Sequence, residues 1–228
     1  MSQTDNNDIL LSLHSSPDVS LLRTKTGEFK PFLNVSPLYP LGIHVNYHKE
    51  IILGVMERGA TYTLTNKSCR QVIIFGIDGK QKQSYEYDKH KQRLFTTPAR
   101  ITSNVKNDIV VIDSTAYDEG RVVILDKVGQ TKWIYQGQSQ VNPGNKPFNP
   151  LDIVTTSIGH VIVTDVNNHS LYVLSEVGDV LACKGMKNLG IIYPTTMDID
   201  TKGQLWVGCY SGNKQRTDAK LHEMKISF

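Results

Sequence analysis

Residues 148–185 read FNPLDIVTTSIGHVIVTDVNNHSLYVLSEVGDVLACKG, and this stretch decides the fold. Leu151 to Thr155, Val161 to Asp165, Leu171 to Leu174 and Val180 to Cys183 are β-branched or aromatic runs. The punctuation between them is Gly159, Asn167-Asn168 and Gly178-Asp179, residues that turn a chain. Four short strands joined by three tight turns make one antiparallel sheet.

The opening phrase of that sheet recurs along the chain. Pro40-Leu41-Gly42-Ile43, Pro98-Ala99-Arg100-Ile101, Pro150-Leu151-Asp152-Ile153 and Pro194-Thr195-Thr196-Met197 each precede a second apolar strand. Gly27, Gly79, Gly129 and Gly178 keep step with them at a spacing of about fifty residues, the period of propeller blades. The expected fold is therefore an all-β propeller of four-stranded antiparallel blades, about five of them, at residues 6–35, 39–87, 97–137, 149–185 and 193–228. Residues 1–5 read as a disordered or tag-like start. The first blade has no visible innermost strand, and the last no outermost one. A propeller must close, so the simplest reading is an incomplete six-bladed ring; a closed five-bladed ring is the alternative.

Composition narrows the function classes. Lys+Arg 25 against Asp+Glu 22 gives a net charge of +3, which supplies no argument for DNA. Cys69, Cys183 and Cys209 form no C-x-x-C pair, so they read as reduced, packed thiols in a cytoplasmic protein. No run approaches the roughly 18 apolar residues of a membrane helix, so no membrane partner is expected. No G-x-S-x-G elbow, phosphate loop or metal-ligand spacing is present, and the expectation is no catalytic residue, no metal and no cofactor. His44 and His48 lie four apart, but on a strand and its turn rather than on one helical face. Asp198-Ile199-Asp200-Thr201-Lys202-Gly203 has the start of a calcium loop without the distal glutamate, and reads as an ordinary turn.

The blade at 148–185 resembles an NHL repeat through F-N-P-x-x-I-V-x(5)-H-V-I-V-T-D-x-N-N-H-x-L-Y-V-L, and in particular the propeller of tripartite-motif proteins. Asn107 to Asp113 with Gly120 to Asp126 repeats the same signature. The WD signature fails, since the tryptophans read Trp133-Ile134 and Trp206-Val207; there is no Gly-Gly pair of the kelch type. The resemblance implies a module that recruits a protein substrate for ubiquitin transfer, or RNA. The zinc-binding RING and B-box that perform the transfer have no Cys/His array in this sequence, so ligase chemistry is not assigned to it.

Strands alternate direction, so the longer connections, 56–70, 88–96, 114–120, 138–148 and 211–218, gather at one end, where binding is expected. The residues singled out there are Arg58, Lys67, Arg70, Tyr87, Lys89, His90, Lys91, Arg93, Lys146 and Arg216. A protein partner is the first expectation. RNA is the second, because Tyr85 to Arg93 interleaves rings with cations. Asp113 and Asp165 end second strands, where a carboxylate can accept turn N–H groups. A rival reading makes Asp165 or Asp198 a channel-lining ligand of a metal-dependent propeller lactonase.

Overall fold

The computed structural model describes residues 1–13, 15–137, 146–210 and 219–225. Their strands form five antiparallel sheets in sequence order. Blade one holds β1 (Ser2–Gln3), β2 (Ile9–Ser12), β3 (Asp18–Leu22) and β4 (Phe29–Asn34). Blade two holds β5 (Tyr39–Val45), β6 (Ile51–Met56), β7 (Arg70–Phe75) and β8 (Gln81–Tyr85). Blade three holds β9 (Pro98–Ser103), β10 (Ile109–Ala116), β11 (Glu119–Leu125) and β12 (Thr131–Tyr135). Blade four holds β13 (Ile153–Thr155), β14 (Val161–Asp165), β15 (Ser170–Leu174) and β16 (Val180–Gly185). Blade five has β17 (Ile192–Ile199), β18 (Leu205–Tyr210) and β19 (Ala219–Met224). The fold is the all-β propeller that the repeats imply.

The start of the chain differs from expectation. Ser2–Gln3 pair with Leu10 and Ile9, so blade one has an innermost strand and residues 1–5 are part of it. Ser2 Oγ also accepts from Val45 N at 2.9 Å, tying that strand to blade two. Two residues of polar sequence carry no strand signal of their own; the pairing is conferred by the neighbours. Blade five shows three strands among the described residues, as the sequence indicates.

The second strand of each central blade is a continuous apolar run because both of its faces are covered. Val110 and Ile112 of β10 pack into the cluster between blades three and four, while Ile109 and Val111 pack between blades two and three. Val161 and Val163 of β14 likewise face blade three, and Ile162 faces blade five. Full burial of each such side chain is worth about 1.5–3 kcal/mol. These clusters, with a fourth between blades one and two, seal four blade seams. Outermost strands such as β8, Gln-Lys-Gln-Ser-Tyr, are polar because they edge on water.

One turn design recurs at the short-turn end. A leading side-chain oxygen accepts the N–H groups two and four residues on: Asn46 from His48 and Glu50, Asn104 from Lys106 and Asp108, Asp126 from Val128 and Gln130. Asp200 does the same for Lys202 and Gln204, and its other oxygen accepts from Trp206 Nε1 at 3.2 Å. The calcium-like phrase is thus a turn cap, as the sequence reading has it.

Candidate functional site at the loop end

The 2–3 connections and the blade crossovers converge at one end of the propeller, called here the loop end. Its ordered frame comes from buried charges. Asp113, fully buried within its blade's second strand, which runs on to Ala116, accepts from Thr96 N at 2.7 Å, Thr97 N at 2.6 Å and Arg121 Nε at 2.9 Å. Burial still pushes its pKa above the usual carboxylate range, against the pull of Arg121 and the two amides. Asp165 accepts from Asn168 Nδ2 at 2.7 Å and from the backbone N–H of Asn149 and Asn168. The two carboxylates therefore clamp the crossovers entering blades three and four. The sequence reading has the right chemistry for both, but Asp113 grips the preceding crossover rather than the following turn.

Arg70 is the clearest correction. Expected on the binding face, it is 0% exposed. Its guanidinium donates to Thr61 O at 2.7 Å, Ala60 O at 2.8 Å, Thr96 O at 3.0 Å and Glu57 Oε1 at 3.0 Å. It staples the 57–69 loop to blade three and offers nothing to a partner. The charge is buried because both terminal nitrogens of the planar fork find oxygen acceptors, and Nε lies 2.9 Å from Glu57 Oε2 in the same ion pair.

The run from Tyr85 to Arg93 is also built differently from a phosphate track. Asp88 accepts from His90 N and Gln92 N, both at 2.8 Å, so Lys89, His90 and Lys91 project from a tight turn whose Lys91 has φ 62°. Arg93 pairs with Glu86 at 2.7 Å and lies 5.0 Å from the Tyr87 ring centroid, covering one face of that ring. Beside it a groove of about 560 Å³ is lined by Tyr85, Glu86, Tyr87, Asp88, Lys89 and the 128–131 turn. Two acidic residues against one lysine do not make a basic channel. Arg58 and Lys67 are exposed on the 57–69 loop, Arg58 lying 5.9 Å from the Tyr39 ring. Lys146 lines a separate cleft in blade four. Arg216 lies outside the described residues. The structure therefore brings Tyr87, Lys89, His90, Lys91 and Arg93 together, places Lys146 apart, and removes Arg70.

The signal that charge counting misses is aromatic. Among the described residues six tyrosines are exposed: Tyr47, Tyr62, Tyr87, Tyr117, Tyr193 and Tyr210. All but Tyr47 are at the loop end, and Tyr117 at the tip of the β10–β11 hairpin is 87% exposed. The opposite end shows single aliphatic tips, Ile77, Val105, Val128, Ile158 and Val177. Around those tips several cations are paired, as in Lys82–Glu50 and Lys132–Asp108, each at 2.8 Å or less.

No donor set for a metal ion, meaning three or more His, Cys, Asp or Glu side chains, occurs among the described residues. Asp165 is fully buried and occupied by Asn149 and Asn168; Asp198, exposed on β17, accepts from Ile199 N. Asp165, so occupied, does not fit a metal-ligand role. His44 is on β5, 2.9 Å from Ser103 Oγ, with burial lowering its pKa to about 4, whereas His48 is in the adjoining turn. None of the cysteines is in a disulfide; Cys209 is buried and the other two partly so. No described helix is long and apolar enough to cross a membrane.

The chain is a β-propeller protein, and its structural relatives are of that class. A protein of unknown function from Bacteroides caccae superposes with a TM-score of 0.68 at 13% identity, over 98% of this chain and 76% of that one. A streptogramin B lyase gives 0.64 at 16% identity, over 100% and 68%. XC5397 of Xanthomonas campestris, described as a gluconolactonase, gives 0.63 at 12% identity, over 91% and 68%. These likenesses establish the fold. No protein-family model and no curated protein matches the sequence, so the finer NHL resemblance rests on the quoted motifs alone.

Proposed function

We propose that this propeller is a non-catalytic recognition module that binds a protein partner at its loop end, as the tripartite-motif resemblance suggests. The observation that carries the reading is that five exposed tyrosines, Tyr62, Tyr87, Tyr117, Tyr193 and Tyr210, are on the connections at this end. Large rigid amphipathic rings are the side chains enriched at interfaces and depleted from ordinary surface. Arg70, Asp113 and Asp165 fix the backbone beneath them, so little ordering remains to be done on binding. RNA is disfavoured by Glu86 and Asp88 within the groove beside Tyr87.

Capture of partners from a lysate tests this when three baits are compared. Proteins held by wild type and by Tyr47→Ser, but released by the double variant Tyr62→Ser/Tyr117→Ser, support the reading. Equal retention by all three baits refutes it.

A second reading, hydrolysis of a lactone, draws on the fold shared with the gluconolactonase from Xanthomonas campestris. Turnover of gluconolactone with added calcium, magnesium, manganese or zinc, lost in Asp198→Asn, would establish it.

A further inference from the structure

Blade four carries a second cleft at the loop end, of about 320 Å³, lined by Lys146, Asn167, Asn168, His169, Gly185, Lys187 and Asn188. Among the described residues no acidic side chain lines it. His169 Nδ1 accepts from Tyr193 N at 3.0 Å, which leaves the ring's proton on Nε2. The ring also meets Tyr193 edge to face at 4.4 Å. Both residues of this contact hold positive φ, 51° for His169 and 52° for Tyr193, a conformation few non-glycine residues adopt. Burial, then Lys187, then Lys146, lowers the pKa of His169, so both ammonium groups act on the ring. The buried carboxylate of Asp165 is turned to Asn168 and the backbone.

We propose that this cleft is an oxyanion-binding site, taking a carboxylate or phosphate group carried by the partner that the loop end recognises. The inference rests on the recognition reading and adds the chemistry of the group recognised. Two lysines supply the attraction, and the Nε2–H of His169, held in one tautomer by Tyr193 N–H, supplies a directed donor. Tyr193, half-exposed beside the ring, and exposed Leu189 offer an apolar wall for the residue that bears the anion.

The test needs no partner. The His169 ring resonances of the full chain are followed by NMR while inorganic phosphate, N-acetylglycine or neutral N-acetylglycinamide is titrated in. A saturable shift is expected with phosphate, N-acetylglycine or both, with Kd on the order of 1 mM, and none with the amide. Lys187→Gln and Lys146→Gln, both at exposed positions, should each weaken binding by about threefold or more while leaving the fold intact. Response to N-acetylglycine alone assigns the group to a chain terminus, and response to phosphate alone to a phosphorylated side chain; either supports the site. No saturable shift with either anion at about ten times that concentration, or an equal response to the amide, overturns it. Because the capture experiment does not depend on this cleft, failure here leaves the recognition reading standing, and failure there leaves an anion site without a docking partner.

Discussion

The indole of Trp133 lies on Gly178 of the next blade and donates from Nε1 to Glu176 O at 2.9 Å. Tyr85 repeats this across the previous seam, its ring on Gly129 and its hydroxyl donating to Lys127 O at 3.0 Å. In each case a ring from the outermost strand of one blade clasps the 3–4 turn of the following one. The turn glycine has two duties: Gly129 and Gly178 hold φ of 83° and 90°, and a Cβ would come within 2.1 Å and 2.9 Å of the ring.

Gly129→Ala should therefore cost about 2–4 kcal/mol, combining left-handed strain with overpacking. Gly27→Ala is the control, because Gly27 has φ 71° with nothing within 4 Å, and it should cost only about 1 kcal/mol. Urea midpoints at constant m-value measure both. Equal losses would remove the clasp from the account.

Arg70→Ala should destabilise by about 3 kcal/mol, since it removes the donor shared by the carbonyls of the 57–69 loop and leaves Glu57 without its cation. The same loop should become sensitive to trypsin at Lys67. Lys89→Ala/Lys91→Ala, at an exposed turn, should stay within about 0.5 kcal/mol of wild type. If the two variants were equally stable, Arg70 would not be a staple.

His44 makes stability depend on pH. Its folded pKa of about 4 is below the ordinary 6.5, so the unfolded chain binds the proton more readily. The stabilisation is complete above pH 6.5 and is lost as pH falls toward 4, up to about 3 kcal/mol. Asp113, Asp152 and Asp165, whose pKa values burial raises, work in the opposite direction. The quantity to measure is hence the difference between wild type and His44→Gln in urea midpoint at pH 7 and pH 4.5. The gap should shift toward the variant at the lower pH; an unchanged gap would mean that His44 does not titrate in this range.

The blades were legible because burial on both faces leaves an unmistakable trace, as in Ile109-Val110-Val111-Ile112 and Val161-Ile162-Val163. Strand β1 was not, since Ser2–Gln3 takes its structure from pairing with Ile9 and Leu10. The loop end was identifiable from loop length and strand direction, but its residues only in part. Arg70 is a charge that sequence places on the surface, and its acceptors at residues 57, 60, 61 and 96 are revealed only when β6 pairs β7 and blade three closes behind them. The blade-four cleft is not legible in the sequence because Lys146, His169 and Lys187 come from three separate connections. His169 and Tyr193, 24 residues apart, meet only in the fold.

Recognition is proposed to happen at the loop end. Hydrogen exchange on the complex with a captured partner measures it most directly, by asking which backbone segments the partner shields. Slowed exchange in peptides carrying Tyr62, Tyr87 and Tyr117 is the expected result. Protection confined to the turns of Tyr47, Val105 and Ile158 would contradict the account.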